Sequence, residues 1–227
     1  IGHGVEVKKN EKIFIDRKID LEIPLKIINN AISDNIFPGA QIFVSKGDEI
    51  LINKGIGHYT YHEKSKKVSI ESIYDVASLT KVLATTPVIM KLVQQKKIGL
   101  DYPLYHFYPE LEHDFNKKNL TIRHLLTHTS GLKAHEKYYE KEGFYSKNAI
   151  IKDILAQDLI YKPDERTVYS DLGIILLLDI IEKITGSKID QLSKKYFYRP
   201  LDMNNTFFNP DVSVKDNIVP TEYDDHF

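Results

Sequence analysis

The sequence contains no cysteine, which excludes disulfides, thiolate nucleophiles and cysteine-ligated zinc. It also lacks an excess of either charge: 31 Lys and Arg stand against 32 Asp and Glu, a formal net charge of −1, with the two signs interspersed. That balance gives no electrostatic footprint for nucleic acid or for an anionic membrane surface. Long apolar runs are missing too. The longest, Leu172 to Leu178, is bounded by Asp171 and Asp179 and is far too short to span a bilayer. Residues 1–20 lack the apolar centre of a signal peptide, so any targeting segment would lie upstream. What remains, 42% hydrophobic and 28% charged over 227 residues, is the profile of a soluble globular chain able to bury a core. The chain reads as a piece of a longer protein.

The most informative stretch is Tyr74-Asp75-Val76-Ala77-Ser78-Leu79-Thr80-Lys81. Ser78 and Lys81 are three apart at the mouth of an apolar stripe (Val88, Ile89, Leu92, Val93) that recurs at helical spacing. If a helix starts at Ser78, Lys81 lies on the same face, within reach of the serine proton, and the Ser78 N–H falls among the free donors of the first turn. The same spacing occurs at Ser130-Gly131-Leu132-Lys133, without an apolar stripe behind it. The alternative for Ser78 is a plain helix N-cap. Tyr169-Ser170-Asp171 stands between an extended segment and an apolar helix, where a helix N-terminus favours an anion. There the plain alternative is Asp171 as N-cap and Tyr169 as a packed aromatic.

Around these stretches, residues 1–20 read as a linker or arm and 21–227 as one domain. A helix is expected from Ile23 until Phe37-Pro38-Gly39 stops it. A hairpin follows, with strands at 40–46 and 50–56 joined through Gly47-Asp48-Glu49. Pro87 predicts a kink in the Ser78 helix. Further helices are expected at 122–127 behind Thr121, at 147–157, at 172–184 closing at Gly186, and at 189–198 before Pro200, with an irregular tail from Asn204. His124 and His128 have the spacing of a zinc pair, but no glutamate follows His124 and no third ligand is evident, which favours a structural role. The aromatics from Tyr102 to Tyr145, Phe144 included, read as core, with a substrate wall as the alternative.

Taken together, four motifs resemble the penicillin-recognising serine hydrolases: class C β-lactamases, D,D-peptidases and their esterase relatives. Ser78-Leu79-Thr80-Lys81 is similar to the first motif of that family, and Tyr169-Ser170-Asp171 stands where it has Tyr-x-Asn. Leu125-Leu126-Thr127-His128-Thr129-Ser130-Gly131-Leu132 and Pro200-Leu201-Asp202-Met203-Asn204-Asn205-Thr206 resemble two more segments, all in family order over roughly residues 25–210. The resemblance implies an α/β fold of the α+β type. An antiparallel sheet would be flanked by helices, and a helical lobe inserted between the first two motifs. It implies Ser78 as the nucleophile of an acyl-enzyme, Lys81 as base, assisted or replaced by Tyr169, and Asp171 as a substrate contact. The sequence leaves open whether Lys81 or Tyr169 is the base. No metal or organic cofactor is implied. The substrate would be a small molecule or peptide bearing an ester or amide, and the compartment periplasmic or extracellular.

Two features depart from the pattern. Asp171 replaces an amide, and a carboxylate near Lys81 favours its ammonium form, weakening it as a base. The late Lys/His-Thr/Ser-Gly strand motif is absent, since Lys183-Ile184-Thr185-Gly186 has the wrong spacing. The expectation is that the chain stops before the closing strands. It would then be crippled as it stands, one oxyanion donor being worth about a hundredfold or more in rate. The rival reading is a non-catalytic binding or accessory module, for which the charged arm allows an upstream fused domain.

Overall fold

The computed structural model describes residues 21–62, 64–143 and 146–221. The arm expected at 1–20, together with Phe144 and Tyr145, lies outside them. The chain divides into two compact units, one of residues 1–75 with 213–227 and one of residues 76–212.

In the first unit, helix α1 (Glu22–Ser33) ends earlier than the proline signal predicts. Asn35 adopts φ +53, and the N–H groups of Asn35 and Ile36 bond back to Ile32 (3.1 Å) and Ala31 (2.9 Å). This is a left-handed cap that asparagine tolerates, closing the helix before Pro38 is reached. Strands β1 (Gly39–Lys46) and β2 (Glu49–Gly57) form the expected antiparallel hairpin, with Gly47 at φ +60 in the turn. The register runs Gly39 to Gly57 through Val44 to Ile52, then slips so that Ser45 faces Ile50. Leu51 is the extra residue of this bulge. The tail is more ordered than its composition predicts. Ile73 bonds the tail through both backbone groups, its N–H donating to the Asn217 carbonyl and its carbonyl accepting the Val219 N–H (both 2.8 Å), and the buried Tyr59 hydroxyl donates to the Asn217 carbonyl (3.0 Å).

The second unit is helical around one core. Ser78 sits in a 3-10 turn (Ala77–Leu79). A π-type turn (Lys81–Thr85) follows, and only then helix α2 (Thr86–Gln94). The expected single helix from Ser78 is therefore three conformations in succession, and the break expected at Pro87 takes the form of the widened turn before it. The physical reason is the missing N–H: Pro87 cannot bond the Leu83 carbonyl four residues back. The Tyr198 hydroxyl donates to that carbonyl instead, at 3.2 Å.

Helices α3 (Ile122–Leu126), α4 (Lys147–Ala156), α5 (Asp171–Thr185) and α6 (Ile189–Ser193) complete the unit, α6 continuing into a second π-type turn (Lys194–Tyr198). Val88, Ile89 and Leu92 of α2, Ile122 and Leu125 of α3, and Leu172, Leu176, Leu177 and Ile180 of α5 are fully buried together. Each such side chain contributes about 1.5–3 kcal/mol. Gly173 of α5 lies against Leu125 of α3, where a Cβ would make an ordinary contact at 3.5 Å. Gly186 closes α5 at φ +65, as its position predicts. Tyr108 and Tyr138 are core residues, each donating to a carboxylate (Asp179 at 2.8 Å, Asp153 at 2.7 Å). The mixed α/β architecture matches the fold class implied by the motifs, with a two-stranded antiparallel sheet among the described residues.

Tyr198→Phe removes the donor that replaces the proline N–H, and is expected to lower stability by about 1–2 kcal/mol. A denaturant midpoint moved down with unchanged slope is the expected observation. An unmoved midpoint would mean that Leu83 has no need of Tyr198.

Candidate active site

Ala77, immediately before Ser78, has φ +43, a left-handed conformation that costs a non-glycine residue on the order of 1 kcal/mol or more. It turns the chain into the 3-10 turn that carries Ser78. Three residues on, Lys81 opens the π-type turn, and its Nζ donates to Ser78 Oγ at 3.0 Å. The spacing thus delivers the contact that an uninterrupted helix would have given. Lys81 Nζ also stands 2.8 Å from Asp171 Oδ1 and 4.9 Å from the centroid of the Tyr169 ring. The lysine side chain is 16% exposed, whereas Tyr169 is 51% exposed at the mouth of the site.

The carboxylate decides the protonation of the lysine. Burial works to lower the Lys81 pKa, but contacts with Asp171 and then Tyr169 outweigh it and hold the pKa above the ordinary lysine value. The same ammonium acts the other way on the phenol. Lys81 first, and Ser78 second, hold the Tyr169 pKa below the ordinary tyrosine value, against a smaller opposing effect from Asp171. In this arrangement the amine stays charged and the phenol is the group brought closer to ionising.

Tyr169 and Asp171 are delivered by the start of α5. Ser170, not Asp171, is the N-cap: its Oγ accepts from Gly173 N–H (3.3 Å) and donates to the Lys133 carbonyl (2.6 Å). Asp171 is the first helical residue, and its N–H bonds the Ala134 carbonyl at 2.7 Å. The segment beside it, Thr127 to Gly131, is bent by His128 at φ +58 and Gly131 at φ +83. A Cβ on Gly131 would lie 2.2 Å from the Tyr161 carbonyl oxygen, so the close approach there requires glycine. His128 accepts the Ser170 N–H through Nδ1 (3.1 Å) and packs its ring 4.7 Å from that of Tyr169. Sequence spacing had no means of showing this pairing, which joins residues 42 apart.

Ser78, Lys81, Tyr169 and His128 share the wall of one cavity of about 410 Å³, otherwise lined mainly by aliphatic side chains such as Leu79, Val82, Leu126 and Ile174. None of the tyrosines from 102 to 139 is in that wall. The second Ser-x-x-Lys copy forms no such group: Ser130 is buried with Oγ on the Leu132 N–H, and Lys133 pairs with Glu136. His124 turns away from His128, bonding Thr121 N–H through Nδ1 (3.0 Å) and Asp164 through Nε2 (2.9 Å). Among the described residues no three His, Asp or Glu side chains cluster as metal ligands. Lys183 lies about 18 Å along α5 from Asp171, held by Asp179 and the Phe107 carbonyl.

A family model described as Beta-lactamase matches residues 26–226. The chain is 30% identical over 190 residues to a protein of Escherichia coli (strain K12) provisionally named a D-alanyl-D-alanine carboxypeptidase, covering 77% of this chain and 44% of that one. It is equally similar, over 190 residues, to the N-acetylmuramyl-L-alanine amidase of Bacillus subtilis (strain 168), covering 77% and 43%. Among solved structures, the octameric penicillin-binding protein homologue from Pyrococcus abyssi superposes with a TM-score of 0.72 at 27% identity, over 88% of this chain and 47% of that one. The chain spans less than half the length of these relatives.

The coupling of Lys81, Asp171 and Tyr169 has signs that can be measured. Lys81→Met removes the cation, so Tyr169 is expected to ionise at higher pH. Asp171→Asn removes the opposing carboxylate, so Tyr169 is expected to ionise at lower pH. Ultraviolet titration of each variant, with a Tyr169→Phe background subtracted, reads both shifts. Shifts of the opposite sign, or none, would contradict the geometry.

Proposed function

The chain belongs to the Beta-lactamase family, and we propose that it carries the acylation site of a serine hydrolase with Ser78 as nucleophile. The observation that carries this reading is the convergence on one cavity of the Ser78 hydroxyl, the Lys81 ammonium 3.0 Å away, and the Tyr169 phenol. In the first step the Tyr169 phenolate takes the proton of Ser78 Oγ as Oγ bonds the substrate carbonyl carbon. Negative charge gathers on the carbonyl oxygen, to which the Ser78 N–H would donate. The phenol then gives its proton to the departing alcohol or amine, leaving an acyl group on Ser78. Water repeats the sequence, losing a proton to Tyr169 and releasing the acid.

Lys81 enters as a fixed positive charge and hydrogen-bond donor and stays protonated throughout. This reading follows from Asp171, whose carboxylate neutralises the ammonium that would otherwise have to lose a proton to serve as base. Asp171 is not in the cavity wall; as a substrate contact from beside Lys81 it would act as an acceptor only, where an amide would both donate and accept. Ester and amide carbonyl compounds, including the D-amino-acid and muramyl-peptide amides for which the two curated relatives are named, are the substrate class. A periplasmic or extracellular location follows from that substrate class, and no described helix is long and apolar enough to cross a membrane. The second reading, a binding module without turnover, is favoured by one observation: a carboxylate, Asp171, stands beside Lys81 where the resemblance implies a substrate-contacting amide.

The test treats the full-length protein with a chromogenic ester, a fluorescent penicillin and a D-amino-acid peptide, followed by mass spectrometry. A covalent adduct on Ser78 is expected. Ser78→Ala is expected to abolish the adduct and to slow turnover by at least about ten-thousandfold. An adduct without turnover selects the binding module. No adduct from any probe, or one that survives Ser78→Ala, would overturn the acyl-enzyme reading.

A further inference from the structure

We propose that His128 is a positioning residue for Tyr169, working only as a neutral imidazole with an unprotonated Nδ1 and the proton on Nε2. The inference rests on the acyl-transfer reading above for its consequence, but its geometry is independent of it. His128 holds the chain on both sides of Tyr169. Its carbonyl accepts the Val168 N–H at 2.9 Å, and its Nδ1 accepts the Ser170 N–H at 3.1 Å. The residue between those two anchors is the tyrosine, and the imidazole closes the clamp by lying 4.7 Å from the phenol ring at 39°. The left-handed backbone of His128 itself, φ +58, lets carbonyl and side chain reach the same segment.

The protonation state follows from the donors. A backbone N–H can only donate, so the ring nitrogen it meets must offer a lone pair. In the neutral ring that leaves Nε2 to carry the proton. An imidazolium would set Nδ1–H against the Ser170 N–H, breaking one anchor and adding a second cation beside Lys81. The charged and titratable groups acting on the ring are Lys81 from the π-type turn, Asp171 from the first turn of α5, and Tyr169 itself. Burial first, and Lys81 second, hold the His128 pKa below the ordinary histidine value, against the pull of Asp171 and then of the Ser170 backbone contact. As pH falls through that depressed pKa, the Tyr169 clamp is released. As pH rises above it, the clamp is intact.

Two variants separate positioning from mere support of the fold. His128→Asn keeps an acceptor for Ser170 but cannot titrate, while His128→Phe keeps a ring against Tyr169 but has no acceptor. In His128→Asn, Tyr169 is expected to titrate near its wild-type position, and kcat to lose the part of its acid limb that belongs to the imidazole. In His128→Phe, Tyr169 is expected to titrate closer to an ordinary tyrosine. Its kcat is expected to fall on the order of a hundredfold with KM unchanged, as for a misplaced catalytic group. Imidazole nitrogen NMR on the histidine-labelled full chain reads the tautomer directly and needs no variant to fold; an Nδ1-protonated His128 at neutral pH would overturn the proposal. So would a folded His128→Phe in which the Tyr169 titration is unmoved. Failure of Ser78 to become acylated would reject the hydrolase reading alone, leaving the tautomer and the Tyr169 titration to decide the clamp.

Discussion

The site depends on one ammonium group. Lys81 Nζ touches the Ser78 hydroxyl and the Asp171 carboxylate and lies beside the Tyr169 ring, on a side chain largely withdrawn from water. Withdrawing a cation from solvent costs several kcal/mol unless partners replace the lost hydration. Asp171 supplies the opposite charge, and the serine and phenol supply the polar contacts. The arrangement is self-consistent only while the lysine is charged: a neutral amine would leave the Asp171 carboxylate without its partner. In the proposed reaction, the carboxylate in place of an amide is what leaves proton transfer to the phenol.

Bringing those groups together requires two irregular pieces of backbone, each with an identifiable cause. Near Ser78, the strained Ala77 and the π-type turn before Pro87 set the lysine and serine side by side, and Tyr198 serves the carbonyl that the proline leaves unbonded. Around residues 127–131, two left-handed residues aim His128 back at the segment entering α5. Strain stored at such places is compensated by the surrounding core, here α2, α3 and α5 buried against one another.

Much of this was legible in the residues themselves. The Ser78–Lys81 spacing, the hairpin about Gly47 and the end of α5 at Gly186 are local signals, and local signals survive into structure. What stayed hidden was of two kinds. One is conformational detail: apolar periodicity marks a helical stretch without separating 3-10, π and α turns, and the left-handed Asn35 just past the end of α1 was masked by the louder Phe37-Pro38-Gly39. The other is long-range pairing. The bond between His128 and Ser170, the neighbours of the Tyr198 hydroxyl, and the separate partners of His124 and His128 depend on which elements meet. No single-sequence period encodes that.

The protonation state of Lys81 is the most direct measure of the account. Selective carbon-13 labelling at the lysine ε position, assigned with Lys81→Met, follows that amine through a pH titration of the intact protein. The expected result is an ammonium across the neutral range, titrating above the ordinary lysine value. A Lys81 that loses its proton near neutrality would show that the amine is the base and that Asp171 does not hold it charged.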